Sequence, residues 1–103
     1  MMGPGKADLL ELIRDTGSIS AAGRAMKMSY KRAWSLVETL NTMFRAPLVE
    51  PVRGGAGGGG ARLTETGTVV LAQYRALEQA AAEAGADQVA GLRDLLADMS
   101  GGK

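Results

Sequence analysis

The sequence contains no cysteine and no histidine. The first absence removes disulfides and thiolate chemistry, and the two together remove the usual zinc ligands, a pattern that suits a reducing cytoplasm. Although 46% of the residues are hydrophobic, no uninterrupted apolar run reaches membrane-spanning length, so a soluble globular chain with no membrane partner is expected. The opening Met1-Met2-Gly3-Pro4-Gly5-Lys6 lacks the apolar core of a secretory signal and reads as a frayed end. Catalytic groups are equally scarce. Glu38 with Glu50, or Asp94 with Asp98, are the available carboxylate pairs, but no base, nucleophile or metal site can be assembled around them. No enzyme, cofactor or metal is expected.

A chain of 103 residues accommodates one small domain, without a separate ligand-binding domain beside it. The net charge of +1 conceals a division. From Arg24 to Arg62 there are seven cations (Arg24, Lys27, Lys31, Arg32, Arg45, Arg53, Arg62) against Glu38 and Glu50 alone. From Leu63 onward, six acids face three cations. The middle third can therefore meet a polyanion, although an uneven solvated surface gives the same count.

Leu9, Leu10 and Ile13 share one face of a first helix spanning Asp8 to Asp15, and Gly17 stands where that helix would stop. Ser20 is the expected N-cap of a second helix, Ala21–Met26. The small residues Ala21, Ala22 and Ala25 allow another helix to cross close by. Gly23 costs about 1 kcal/mol of helix stability and points to a close backbone approach, unless it is merely tolerated.

After the short connection Lys27-Met28, Ser29 offers a further N-cap. Ala33, Val37, Leu40 and Phe44 then form a helical stripe, with Lys31, Arg32, Ser35, Glu38, Thr39 and Thr42 off it. A helix that opens with Tyr30, Lys31 and Arg32, with Ser35 one turn on, carries the donors that base edges and phosphates accept from. An ordinary amphipathic helix looks the same in outline. Trp34, the single tryptophan, is expected in the core or at a subunit interface, because large aromatic side chains are mostly buried.

Pro47 is expected to end that helix, and Leu48–Val52 is extended in character. The tract Arg53-Gly54-Gly55-Ala56-Gly57-Gly58-Gly59-Gly60-Ala61-Arg62 then reads as a β-hairpin with a long tip, a wing at about 48–64. Glycine lets a backbone approach a phosphate or enter a minor groove, and the flanking arginines supply charge. A nucleotide phosphate loop is excluded, because no Gly-Lys-Ser/Thr follows and no helix opens at the glycines. A flexible linker is the plain alternative.

Thr64 caps the last helical region. Val70, Tyr74, Leu77, Ala81 and Ala84 form one stripe, and Val89, Leu92, Leu96 and Met99 a second. The phase shifts at Gly85-Ala86-Asp87, where a glycine stop followed by an Asp cap predicts two helices or one kinked helix. These faces exceed what a winged domain needs and predict a dimer interface of Val70, Tyr74, Leu77, Ala81, Val89, Leu92 and Leu96. Residues 100–103 are expected to be loose. The fold class is thus mostly α with a small β-hairpin: a winged helix-turn-helix over 1–63 and C-terminal dimerisation helices over 64–99.

Gly17-Ser18-Ile19-Ser20-Ala21-Ala22, Ser29-Tyr30-Lys31-Arg32-Ala33-Trp34, Leu48-Val49-Glu50, the glycine run and Leu63-Thr64-Glu65-Thr66-Gly67 occur here in that order. In this the chain resembles the N-terminal DNA-binding domain of the ModE family, bacterial molybdate-responsive transcriptional regulators related to LysR-type winged helices. The resemblance covers roughly Leu9 to Leu77. It implies a recognition helix at Ser29–Phe44, a homodimer, double-stranded operator DNA of inverted-repeat character, and control of molybdenum-related genes. ModE also carries C-terminal molybdate-binding domains, and this chain ends before one could fit, so regulation without its own sensor, or with a separate sensor partner, is expected. Phosphate contacts are assigned to Arg24, Lys27, Arg53 and Arg62, and base readout to Ser29, Tyr30, Lys31, Arg32 and Ser35. Ser20 and the tip glycines Gly57 and Gly58 complete the DNA-facing set. The alternative is a winged-helix protein-interaction module whose acidic C-terminal helices bind a partner.

Overall fold

The computed structural model describes residues 2–53 and 60–101. The described elements are α1 (Pro4–Thr16), α2 (Ile19–Ala25), α3 (Tyr30–Met43), β1 (Val49–Val52), β2 (Gly60–Leu63), α4 (Glu65–Ala84) and α5 (Ala86–Gly101). The core is built from Ala7, Leu9, Leu10 and Ile13 of α1, Ile19 and Ala22 of α2, and Ala33, Val37 and Leu40 of α3. Leu48, Val49, Ala61 and Leu71 complete it.

Helix α1 starts four residues earlier than the apolar stripe indicates, so residues 4–6 are helical and not frayed. Pro4 occupies the first turn, where its missing N–H loses nothing and its fixed φ favours the helix. The helix stops at Gly17, whose φ of 71° is left-handed and whose N–H donates to the Ile13 carbonyl at 2.8 Å.

Ser18, not Ser20, caps α2: its hydroxyl accepts from the Ala21 N–H at 3.0 Å. Capping at Ser18 makes Ile19 the first helical residue and buries it, whereas a cap at Ser20 would leave that large apolar side chain outside the helix. At the other end, the Lys27 N–H donates to the Arg24 carbonyl and the Met28 N–H to the Gly23 carbonyl, both at 3.0 Å. This is a Schellman closure, and its left-handed position is filled by Lys27 at φ 59°. A methyl on Gly23 would lie 2.9 Å from the Ala33 Cβ, so α2 and α3 cross at the close approach expected of a glycine.

Ser29 caps α3 by accepting from the Arg32 N–H at 3.0 Å, and Ala33, Val37 and Leu40 are its buried stripe. The helix ends at Met43, before Pro47 is reached. Asn41 draws the chain away. Its amide oxygen accepts from the Leu48 and Val49 N–H groups at 2.9 and 3.0 Å, and its amide nitrogen donates to the Val49 carbonyl at 3.1 Å.

The strands β1 and β2 pair antiparallel in the register Val49↔Leu63, Glu50↔Arg62, Pro51↔Ala61 and Val52↔Gly60. The stem is anchored to the end of α1, where the Ala61 N–H donates to the Gly17 carbonyl at 2.9 Å. Thr64 closes its base, donating from Oγ1 to the Pro47 carbonyl at 2.7 Å and accepting from the Gly67 N–H at 2.9 Å.

Helix α4 packs on α1 through Leu71, with Val70 and Tyr74 half-buried beside it. Arg75 strengthens that contact with ion pairs to Asp8 and Glu11 of α1 at 2.7 and 2.8 Å and to Glu78 at 2.9 Å. These bonds, Asp8 first among them, raise the Arg75 pKa above its ordinary value. The break at Gly85 gives two helices, and α5 begins at Ala86, so Asp87 lies inside its first turn instead of capping it. Ser100 and Gly101 are still helical, not loose. From Ala86 to Leu96 every residue of α5 is exposed.

Candidate nucleic-acid interface

Burial of Ala33, Val37 and Leu40 turns the opposite face of α3 to solvent, exposing Tyr30, Lys31, Arg32, Trp34 and Ser35. The first turn of α3 contains no acidic residue. Its N-terminal partial positive charge and the Lys31 and Arg32 side chains therefore act in the same direction on an approaching anion. Arg24 and Lys27, at the end of α2 and in the turn, are also exposed.

Of the two places expected for Trp34, the core or a subunit interface, the core is not the one observed: the residue is 40% exposed. It follows the buried Ala33 by one position, which rotates it about 100° off the apolar stripe. Its ring meets Tyr30 edge-on, with centroids 6.0 Å apart and planes at 66°. Together the two rings form one wall of a groove of about 300 Å³, continued by Ser18, Ile19 and Ser20 and closed on the wing side by Pro51, Gly60 and Ala61. The structure thus brings Ser20 and Tyr30 together beside the wing.

Arg32 lies elsewhere. It borders a second groove of about 330 Å³ with Gly3, Gly5, Lys6, Met26, Met28 and Leu36, on the α1 side of α3. Lys31 and Ser35 occupy the outer face between the two grooves, as their helical phase requires. Arg62 has an internal partner: its Nε donates to Glu50 Oε2 at 2.7 Å across the hairpin. Arg53, at the end of the described stem, is exposed, and Gly57 and Gly58 lie outside the described residues. Local sequence reasoning missed Trp34, Asn41 and the Glu50–Arg62 pair. Only Trp34 had a local signal, its phase relative to Ala33.

Of the residues expected at a dimer interface, Val70 and Tyr74 are half-buried against the chain's own core. Leu77, Ala81, Val89, Leu92 and Leu96 are exposed. Val69 and Leu95 are also exposed large apolar side chains, at 52% and 77%. Among the described residues, no helix is long and apolar enough to cross a membrane. No group of three or more acidic side chains among them is arranged to hold a metal ion.

Three helices, a hairpin after the third and a following helix packed back on the first define a winged helix-turn-helix, with the polar face of α3 exposed beside the wing. The family described as "Bacterial regulatory helix-turn-helix protein, lysR family" matches residues 6–68, and the chain belongs to it. It is 45% identical over 83 residues to the molybdenum-pterin-binding protein MopA of Rhodobacter capsulatus, covering 81% of this chain and 31% of that protein. Identity to the molybdenum transport protein ModE of Azotobacter vinelandii is 47% over 70 residues, or 68% of this chain and 26% of the relative. The chain thus spans about a third or less of the length of these relatives. In fold it resembles the protein in the crystal structure of a CbnR_DBD–DNA complex, with a TM-score of 0.67 over 88% of this chain and 99% of that one at 20% identity.

Proposed function

We propose that this chain is a sequence-specific, double-stranded-DNA-binding transcriptional regulator of the ModE type, linked to molybdenum-related genes. The observation that carries the reading is the exposed N-terminal face of α3, with Tyr30, Lys31, Arg32 and Ser35, beside a hairpin flanked by Arg53 and Arg62. Similarity to MopA and ModE supports the molybdenum link. In this reading α3 enters the major groove, where Lys31, Arg32 and Ser35 meet base edges, and the wing reaches the adjacent minor groove. Arg24, Lys27 and Arg53 neutralise phosphates.

The chain acts as a homodimer. Leu77, Val89, Leu92, Leu95 and Leu96 are too large and too exposed to be left in water on adjoining helices, and a second copy covers them while presenting a second α3 to the other half-site. The same leucines favour a second reading, in which a separate sensor protein occupies that face.

The test is duplex binding by the full chain at two salt concentrations, using DNA from upstream of molybdate-transport genes and a random duplex as comparison. Preference for the first duplex, with affinity falling steeply as salt rises, is the expected result. Absence of binding to either duplex at low salt would leave the interaction module as the surviving reading.

A further inference from the structure

The groove between α3 and the hairpin stem has an unusual lining for a surface in the basic third of the chain. Ser20, Tyr30 and Trp34 form one side and Pro51, Gly60 and Ala61 the other, with no charged side chain among them. It nevertheless holds three donors. Among the described residues nothing hydrogen-bonds to the Ser20 hydroxyl, the Tyr30 phenol or the Trp34 indole N–H. Large amphipathic rings that remain 61% and 40% exposed present both an apolar surface and a polar tip to whatever enters.

We infer that this groove seats one phosphodiester of the DNA backbone, a deepening that rests on the DNA-binding reading above. Hydroxyl and indole N–H groups are neutral donors of the kind that engage phosphate oxygens and fix register. The ring edges and the Pro51–Ala61 wall pack against the adjoining deoxyribose. Base readout is the poorer fit, because none of the guanidinium, ammonium, amide or carboxylate groups that discriminate most sharply between bases lines the groove, and a serine hydroxyl contacts any base. A backbone segment held here lies between the bases that α3 reaches and the groove that the wing reaches. Trp34 is therefore a DNA-positioning residue.

The experiment measures duplex affinity of the full chain with Trp34→Phe, which keeps a ring and removes the N–H, and with Tyr30→Phe. Each variant weakens binding to specific and random duplexes alike, by about tenfold, as loss of a hydrogen bond to a charged group does. The salt slope is unchanged, because no cation is removed. Unaltered thermal unfolding shows that the fold is intact, as expected for half-exposed rings. A single methylphosphonate at the contacted phosphate weakens wild type but not the variant that combines Trp34→Phe with Tyr30→Phe. The inference is overturned if wild type binds DNA and the variants bind equally well. A loss that appears only with one base pair, and disappears when thymine is replaced by deoxyuridine, overturns it in favour of a methyl-group contact. If wild type itself binds no duplex, the DNA-binding reading falls first and this one with it.

Discussion

Gly23 of α2 lies against Ala33 of α3 so closely that a Cβ at residue 23 would stand 2.9 Å from the Ala33 Cβ. Gly23→Ala is therefore expected to destabilise the fold by about 1–3 kcal/mol, overriding the helix-propensity gain of about 1 kcal/mol. Adding Ala33→Gly reopens the crossing and recovers part of the loss. Urea unfolding of the two single variants and the double variant checks this. Simple additivity would show that the two sites do not touch.

Lys27 holds a left-handed backbone at φ 59°, where glycine is the unstrained choice. Lys27→Gly is expected to raise stability by up to about 1 kcal/mol, because relief of the left-handed strain outweighs the extra freedom of the unfolded chain. The same change removes a cation from the turn and should weaken duplex binding, reducing the salt slope by about one. Opposite signs in melting temperature and affinity are the expected outcome. A loss of both would mean that the Lys27 side chain supports the turn itself.

Glu50 occupies Arg62 across the hairpin, with side chains 41% and 69% exposed, so the pair adds little to stability, less than about 1 kcal/mol. Glu50→Gln is expected to leave the unfolding midpoint nearly unchanged and to tighten duplex binding at low salt, because a carboxylate leaves the wing and Arg62 is released. A steeper salt slope, measured by fluorescence anisotropy, distinguishes release of Arg62 from a general change in affinity.

Asn41 satisfies the Leu48 and Val49 N–H groups with one oxygen. Asn41→Leu leaves both donors without that acceptor and is expected to cost about 2–4 kcal/mol. Asn41→Asp retains the acceptor and loses only the donation to the Val49 carbonyl, so its cost is smaller, about 1 kcal/mol. Equal costs in chemical denaturation would show that the amide–backbone bonds do not hold the loop.

What was legible in the sequence follows the range of the forces involved. Helix α3 could be read almost to the residue, because Ser29 as a cap and the Ala33–Val37–Leu40 stripe are local signals. The cap of α2 could not be chosen locally. Ser18 and Ser20 are equally good acceptors, and the choice falls to burial of Ile19 in a core assembled from three other helices and the hairpin. Of the two places expected for Trp34 from its size, the core is ruled out by its phase, one residue past Ala33, which points it outward. Lys27 carries no sequence signal for a left-handed turn. Asn41 and Arg75 bond to partners chosen by the tertiary fold, and Glu50–Arg62 becomes readable only once the hairpin register is known.

The bonds of Asn41 to the base of β1 have a mechanical consequence. Together with the Ala61–Gly17 and Thr64–Pro47 bonds, they hold the hairpin stem at three points, to α3, to the end of α1 and to the chain entering β1. The stem is clamped at its root, like a cantilever. The direction in which Val52 and Gly60 leave the domain is then set by the body of the fold and not by the hairpin itself.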